Sequence, residues 1–90
     1  MANYINTDRE HWCQDIREAR MKACGYVLDH KRVVVIVSDS HKNFVGYVRY
    51  VGPKTGAVYY SRKTDKEYLL DLDGSLWDRK THKKISGGAR

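Results

Sequence analysis

Tyr47, Arg49, Tyr59 and Lys63 recur at odd positions of two strand-like runs, which places their side chains on one face of a small sheet. Nucleobases stack on exposed tyrosine rings, and Arg and Lys neutralise phosphates, with about 1–3 kcal/mol gained per stacked base. Lys54 sits at the tip of an expected hairpin, and Lys80, Lys83 and Lys84 extend the cationic set towards the C-terminal end. The chemistry on offer is recognition of a polyanion. Packing of tyrosines across strands, with lysines protecting sheet edges, is the competing explanation for each residue taken singly.

Asp71 and Asp73 are the other residues whose spacing could do chemistry, as a pair of carboxylates beside Gly74 and Ser75. They fit no EF-hand loop. With Gly74 at loop position 6, Leu69 and Lys80 fall at positions 1 and 12, where ligands belong. The histidines His11, His30, His41 and His82 form no helical i,i+4 pair and have no adjacent nucleophile. No metal site and no cofactor is expected.

The run Leu70-Asp71-Leu72-Asp73-Gly74-Ser75-Leu76 resembles the nucleophile motif of haloacid-dehalogenase-like phosphatases, D-x-D-G-T/S-L. That resemblance implies Asp71 as nucleophile, Asp73 as general acid/base, and Mg²⁺. Val33–Ser38 is similar to the family's second motif. The family also implies a doubly wound α/β domain with Lys and Asp motifs downstream, and only sixteen residues follow Gly74 here. An Asp-Gly hairpin turn accounts for the same residues. Val48-Arg49-Tyr50-Val51-Gly52-Pro53 resembles the start of the cytoskeleton-associated Gly-rich domain, without its G-K-N-D-G continuation, and points to a hairpin in a small barrel.

The elements that must position these groups follow from pattern. Phe44–Val51, Ala57–Lys63, Glu67–Leu72 and Ser75–Arg79 read as strands. Gly52–Gly56, Thr64–Lys66 and Asp73-Gly74 separate them as turns. If Val51 opposes Ala57, then Val48, Tyr50, Val58, Tyr60, Tyr68, Leu70, Leu72 and Trp77 share one apolar face with Phe44. Tyr47, Arg49, Tyr59, Lys63, Leu69, Leu76 and Lys80 share the other. A one-residue slip would exchange faces. Val33–Val37 reads as a strand buried on both sides.

Thr7-Asp8-Arg9-Glu10 is a capping-box signature that predicts a helix over residues 7–24, closed by Gly25. Its apolar stripe is Trp12, Ile16, Ala19 and Ala23, and the two alanines suit close packing on a sheet. Tyr26-Val27-Leu28 reads equally as a short strand or a last helical turn. Residues 1–6 are expected to be loose, 33–80 to form the antiparallel meander, and 81–90 to be a mobile basic tail. The expected fold is α+β: one domain over residues 1–90, with an N-terminal helix on a bent antiparallel sheet of four to five strands, which could partly close into a small barrel.

Ninety residues make one domain with a thin core. The net charge is +6, and it is segregated: residues 1–30 hold four Lys/Arg against five Asp/Glu, whereas residues 31–90 hold thirteen against six. Cys13 and Cys24, about 16 Å apart on the expected helix, cannot form a disulfide. With no apolar run long enough to span a bilayer, these thiols suggest a cytoplasmic protein with no membrane partner. The expected function is a non-catalytic, small basic module, monomeric or dimeric, that binds nucleic acid. The alternative is a protein-interaction module that inhibits or redirects a larger host enzyme or complex. In that respect the chain is similar in character to bacteriophage accessory proteins. An enzyme built on Asp71 and Asp73 comes third.

Overall fold

The computed structural model describes residues 2–5 and 10–86. In chain order the elements are β1 (Ala2–Ile5), β2 (Glu10–Cys13), α1 (Ile16–Asp29), β3 (Val34–Ser38), β4 (Phe44–Gly52), β5 (Gly56–Ser61), β6 (Lys66–Leu70), β7 (Leu76–Asp78) and β8 (Lys84–Ser86). All eight strands join one open antiparallel sheet, in the order β2-β1-β3-β4-β5-β6-β7-β8. The α+β class holds. The strand count exceeds four to five, and the sheet is not closed. Within residues 1–6, expected to be loose, Ala2–Ile5 form β1. Part of the expected basic tail is β8, and residues 87–90 lie outside the described residues.

The helix starts later than the Thr7–Glu10 signature predicts. Thr7 and Asp8 lie outside the described residues, and Glu10 to Cys13 form β2, paired with β1. Asp15-Ile16-Arg17-Glu18 repeats the same cap logic eight residues on. The Asp15 carboxylate accepts from the Glu18 N–H at 2.8 Å, and Glu18 Oε1 accepts from the Gln14 N–H at 2.9 Å. Gly25 does not end the helix. The chain continues helically through Tyr26, Val27 and Leu28, and the His30 N–H closes on the Tyr26 carbonyl at 2.8 Å. Cys13 and Cys24 therefore occupy different elements; both are buried and free.

Ala19, Ala23 and Val27 recur every four residues and are fully buried against the sheet. They meet Tyr4, Val35, Val37, Val48, Ala57, Tyr59, Leu70 and Leu76 in one core. Trp12, expected on this stripe, is instead 48% exposed on β2. β3 is buried on one face only, since Val35 and Val37 turn inward while Val34 is 48% exposed on the other side.

Two turn geometries reset the expected faces. Tyr50 pairs with Ala57 and Gly52 with Gly56, which leaves Val51 as an extra, bulged residue in β4. Gly52 (φ +141) and Gly56 (φ +77) supply the backbone that such a bulged turn needs. Every β5 side chain then sits on the face opposite to expectation. Tyr59 turns inward, whereas Val58 and Tyr60 turn away from the helix. Gly46 leaves room for Tyr59, because a Cβ there would collide with the Tyr59 ring and the Tyr60 carbonyl.

A four-residue turn, Arg62–Asp65, rather than three residues, restores β6. Tyr68 and Leu70 pack towards the core as expected. Next, Asp71–Ser75 loops out between the paired residues Leu70 and Leu76, in place of a two-residue turn. Leu76 is thereby buried, Trp77 moves to the helix-free face, and Leu72 is left 65% exposed.

Candidate functional site

The sheet face not covered by α1 carries the residues that could recognise a partner. Registers align Tyr47 with Tyr60 and Glu67 across β4, β5 and β6. A neighbouring row runs Arg49, Val58, Leu69, Trp77 and Lys84. The Tyr47 and Tyr60 rings stack at 4.9 Å between centroids, inclined by 19°. Lys84 Nζ lies 5.9 Å from the Trp77 ring, and Lys42 Nζ lies 6.0 Å from the Trp12 ring.

Arg49 is held by a carboxylate. Its Nε and Nη2 donate to Glu67 at 2.8 and 3.0 Å, and Arg79 Nη1 donates to Glu67 Oε1 at 2.8 Å. The Arg49 side chain spans β5 to make this pair, and Val58, between its cross-strand neighbours Arg49 and Leu69, is fully buried. The hydrogen bonds from Arg49 hold the Glu67 carboxyl below the usual carboxylate range and raise Arg49. Two guanidiniums on one carboxylate leave a net positive cluster beside the stacked tyrosines.

The structure sorts the expected binding residues into three groups. Tyr47 and Arg49 lie on the helix-free face, with Lys84 at its β8 end. Lys54, Lys63, Lys80 and Lys83 are exposed in turns, not on the face itself. Because the strands alternate in direction, Lys54 is at one end of the sheet, and the turns bearing Lys63, Lys80 and Lys83 are at the other. Tyr59 is a correction. It is 4% exposed, its hydroxyl donates to the Val45 carbonyl at 3.3 Å, and the Arg20 guanidinium lies 5.5 Å over its ring. Burial raises its phenol pKa. The bulge at Val51 is the physical reason, and Tyr60 takes the place that Tyr59 was expected to hold. The Tyr60 hydroxyl donates to Asp65 Oδ1 at 2.6 Å, which fixes the ring.

Sequence reasoning missed Tyr60, Trp77, Trp12, Glu67 and Arg79 as members of this face. The Gly52/Gly56 pair, framing a turn with one residue more than a tight hairpin, was the available signal for Tyr60.

Asp71 and Asp73 serve the turn. Asp73 Oδ1 accepts from the Ser75 N–H at 2.9 Å, and the Asp71 N–H donates to the Ser75 carbonyl at 3.0 Å. The bonds from Ser75 lower the Asp73 pKa. The surrounding sheet is antiparallel, unlike the doubly wound domain that the phosphatase resemblance implies. Among the described residues no three of His, Cys, Asp and Glu come together as a metal site, and no helix is long and apolar enough to cross a membrane.

Comparisons with protein-family models, with curated proteins and with solved structures find no match for this chain.

Proposed function

We propose that this chain is a non-catalytic binding module that engages single-stranded nucleic acid through the helix-free face of its sheet. The observation that carries the reading is the set of aromatic rings and cations on that face: Lys42 over Trp12, Lys84 over Trp77, and Arg49 two residues along β4 from the Tyr47–Tyr60 stack. Aromatic faces accept any base, and the cations meet phosphates. The net charge of +6 draws a polyanion to the molecule. The lysines in the turns at both ends of the sheet extend the positive field beyond the rings.

A second reading is favoured by one observation. The same face exposes Val34 and Trp12, and Glu67 already occupies Arg49. Those features suit docking on a larger protein, which the module would inhibit or redirect.

Binding of a labelled single-stranded oligonucleotide, followed by anisotropy over a salt series, separates the two. Nucleic-acid binding gives a log–log salt slope of roughly −0.7 per phosphate neutralised. A flat salt response, together with a nuclease-resistant protein partner in a pull-down from native extract, would overturn the first reading in favour of the second.

A further inference from the structure

A cleft of about 330 Å³ opens at the β6–β7 end of the helix-free face, lined by Thr55, Leu69, Leu70, Asp71, Trp77 and His82. Its volume falls within the range of small-ligand sites. Two polar groups on its lining residues are unspent. Trp77 Nε1 is buried and has no hydrogen-bond partner. The Asp71 carboxylate is exposed and makes no hydrogen bond or ion pair among the described residues, since only its backbone N–H and carbonyl serve the turn. A buried indole N–H without an acceptor is uncommon in folded proteins and calls for a reason.

We infer that this cleft is a guanine subsite, in which the base packs beside the Trp77 ring and presents its two adjacent donors to Asp71. The choice of base follows from donor–acceptor order. A carboxylate accepts two parallel hydrogen bonds, and guanine alone among the common bases carries two neighbouring donors, at N1 and N2, on one edge. Adenine and cytosine present a single amino group beside a ring-nitrogen lone pair, and uracil and thymine place their one N–H between two carbonyl oxygens. Each of these sets a lone pair against a carboxylate oxygen. Guanine O6 follows N1 along the same edge as an acceptor, and the Thr55 hydroxyl is a donor in the wall that can meet it. Leu69 supplies the apolar floor. Lys84, over the Trp77 ring, lies where the attached phosphate would be neutralised.

This subsite deepens the nucleic-acid reading and rests on it for its biological sense, yet it is testable without a strand. Guanosine monophosphate titrated into ¹⁵N-labelled protein is expected to move the Trp77 indole N–H resonance while leaving that of Trp12, on the distant strand β2, as an internal reference. Adenosine, cytidine and uridine monophosphates should move it little. Asp71→Asn, which leaves the backbone turn intact, should weaken the guanosine response about ten-fold, the scale of one bidentate base contact. Retained spectral dispersion identifies the variant as folded. An equal response to all four nucleotides, an unmoved Trp77 signal, or an Asp71→Asn variant that responds like the parent would overturn the inference. Oligo(dT) binding measured alongside keeps the two ideas apart. Binding without a guanosine response sinks the subsite alone, and a guanosine response without strand binding sinks the strand reading alone.

Discussion

Arg20 and Gly74, fifty-four positions apart, are clasped by two hydrogen bonds: Arg20 Nε and Nη2 donate to the Gly74 carbonyl at 3.0 and 2.7 Å. Arg20 is 8% exposed, and its guanidinium packs over Tyr59. Burial lowers the Arg20 pKa. Gly74, with φ +87, comes so close to the helix that a Cβ would meet the Arg17 carbonyl at 2.9 Å. The Asp71–Ser75 loop is therefore fixed to α1 by a bond that no motif describes.

Replacing Arg20 by Ala should cost about 2–4 kcal/mol of folding stability, because a buried carbonyl loses both donors and Tyr59 loses its cover. Urea unfolding measures it. Arg20→Lys should restore only part of the loss, since an ammonium cannot present the same two-pronged donor. A variant as stable as the parent would show that water satisfies Gly74 equally well.

Neighbouring tyrosines should separate folding from binding. Tyr60→Ala is expected to leave stability within about 1 kcal/mol, while weakening oligonucleotide affinity by roughly 1–3 kcal/mol. Tyr59→Ala should destabilise the fold by about 3–5 kcal/mol, as for other large core truncations. Melting curves and anisotropy on the two variants check both halves. If Tyr59→Ala were the variant that bound less while remaining equally stable, the register described above would be refuted.

The Arg49–Glu67–Arg79 cluster should give an acid-side signature. The Glu67 pKa is lowered by folding, so its contribution is present in full above the unfolded value, near pH 4.3, and fades as pH falls through the lower folded value. The stability difference between parent and Glu67→Gln, at most about 1 kcal/mol for a pair this exposed, should be constant around neutrality. It should shrink below about pH 5. A difference that grew on acidification would contradict the sign.

Both thiols should resist modification in the native state. Cys24 is buried, and burial pushes its pKa up to about 11; burial also raises Cys13. A thiol reagent at neutral pH should react at the rate of protein opening, and rapidly in denaturant. Immediate native-state labelling of either cysteine would show that its element opens locally.

The expected hairpin series survives as β4 to β7 because its signals are local: alternating apolar residues, Gly-rich separators and Tyr-rich runs. Val48, Tyr50, Tyr68 and Leu70 face the core as their parity demands. Parity fails where the chain inserts a residue. Val51 and the long Asp71–Ser75 loop each shift register by one, which exchanges Tyr59 with Tyr60 and Leu76 with Trp77. The helix start was ambiguous because Thr7–Glu10 and Asp15–Glu18 carry the same cap pattern, and only pairing with β1 assigns Glu10–Cys13 to a strand. β1 and β8 are only four and three residues long, too short for an alternating pattern to reveal them. For the candidate face, Tyr47, Arg49 and Lys84 could be read from the sequence. Glu67 could not, since its bond to Arg49 bridges two strands.

The insertion of β1 between β2 and β3 covers the backbone edge of β3. Val34-Val35-Ile36-Val37 is a short, uncharged β-branched stretch, the kind that templates fibril growth when its backbone edge is free. Tyr4 and Ile5 occupy that edge by pairing with Val37 and Ile36. Until the β1–β2 hairpin has docked, a folding molecule leaves this stretch open to its neighbours, so that hairpin is placed to guard against aggregation.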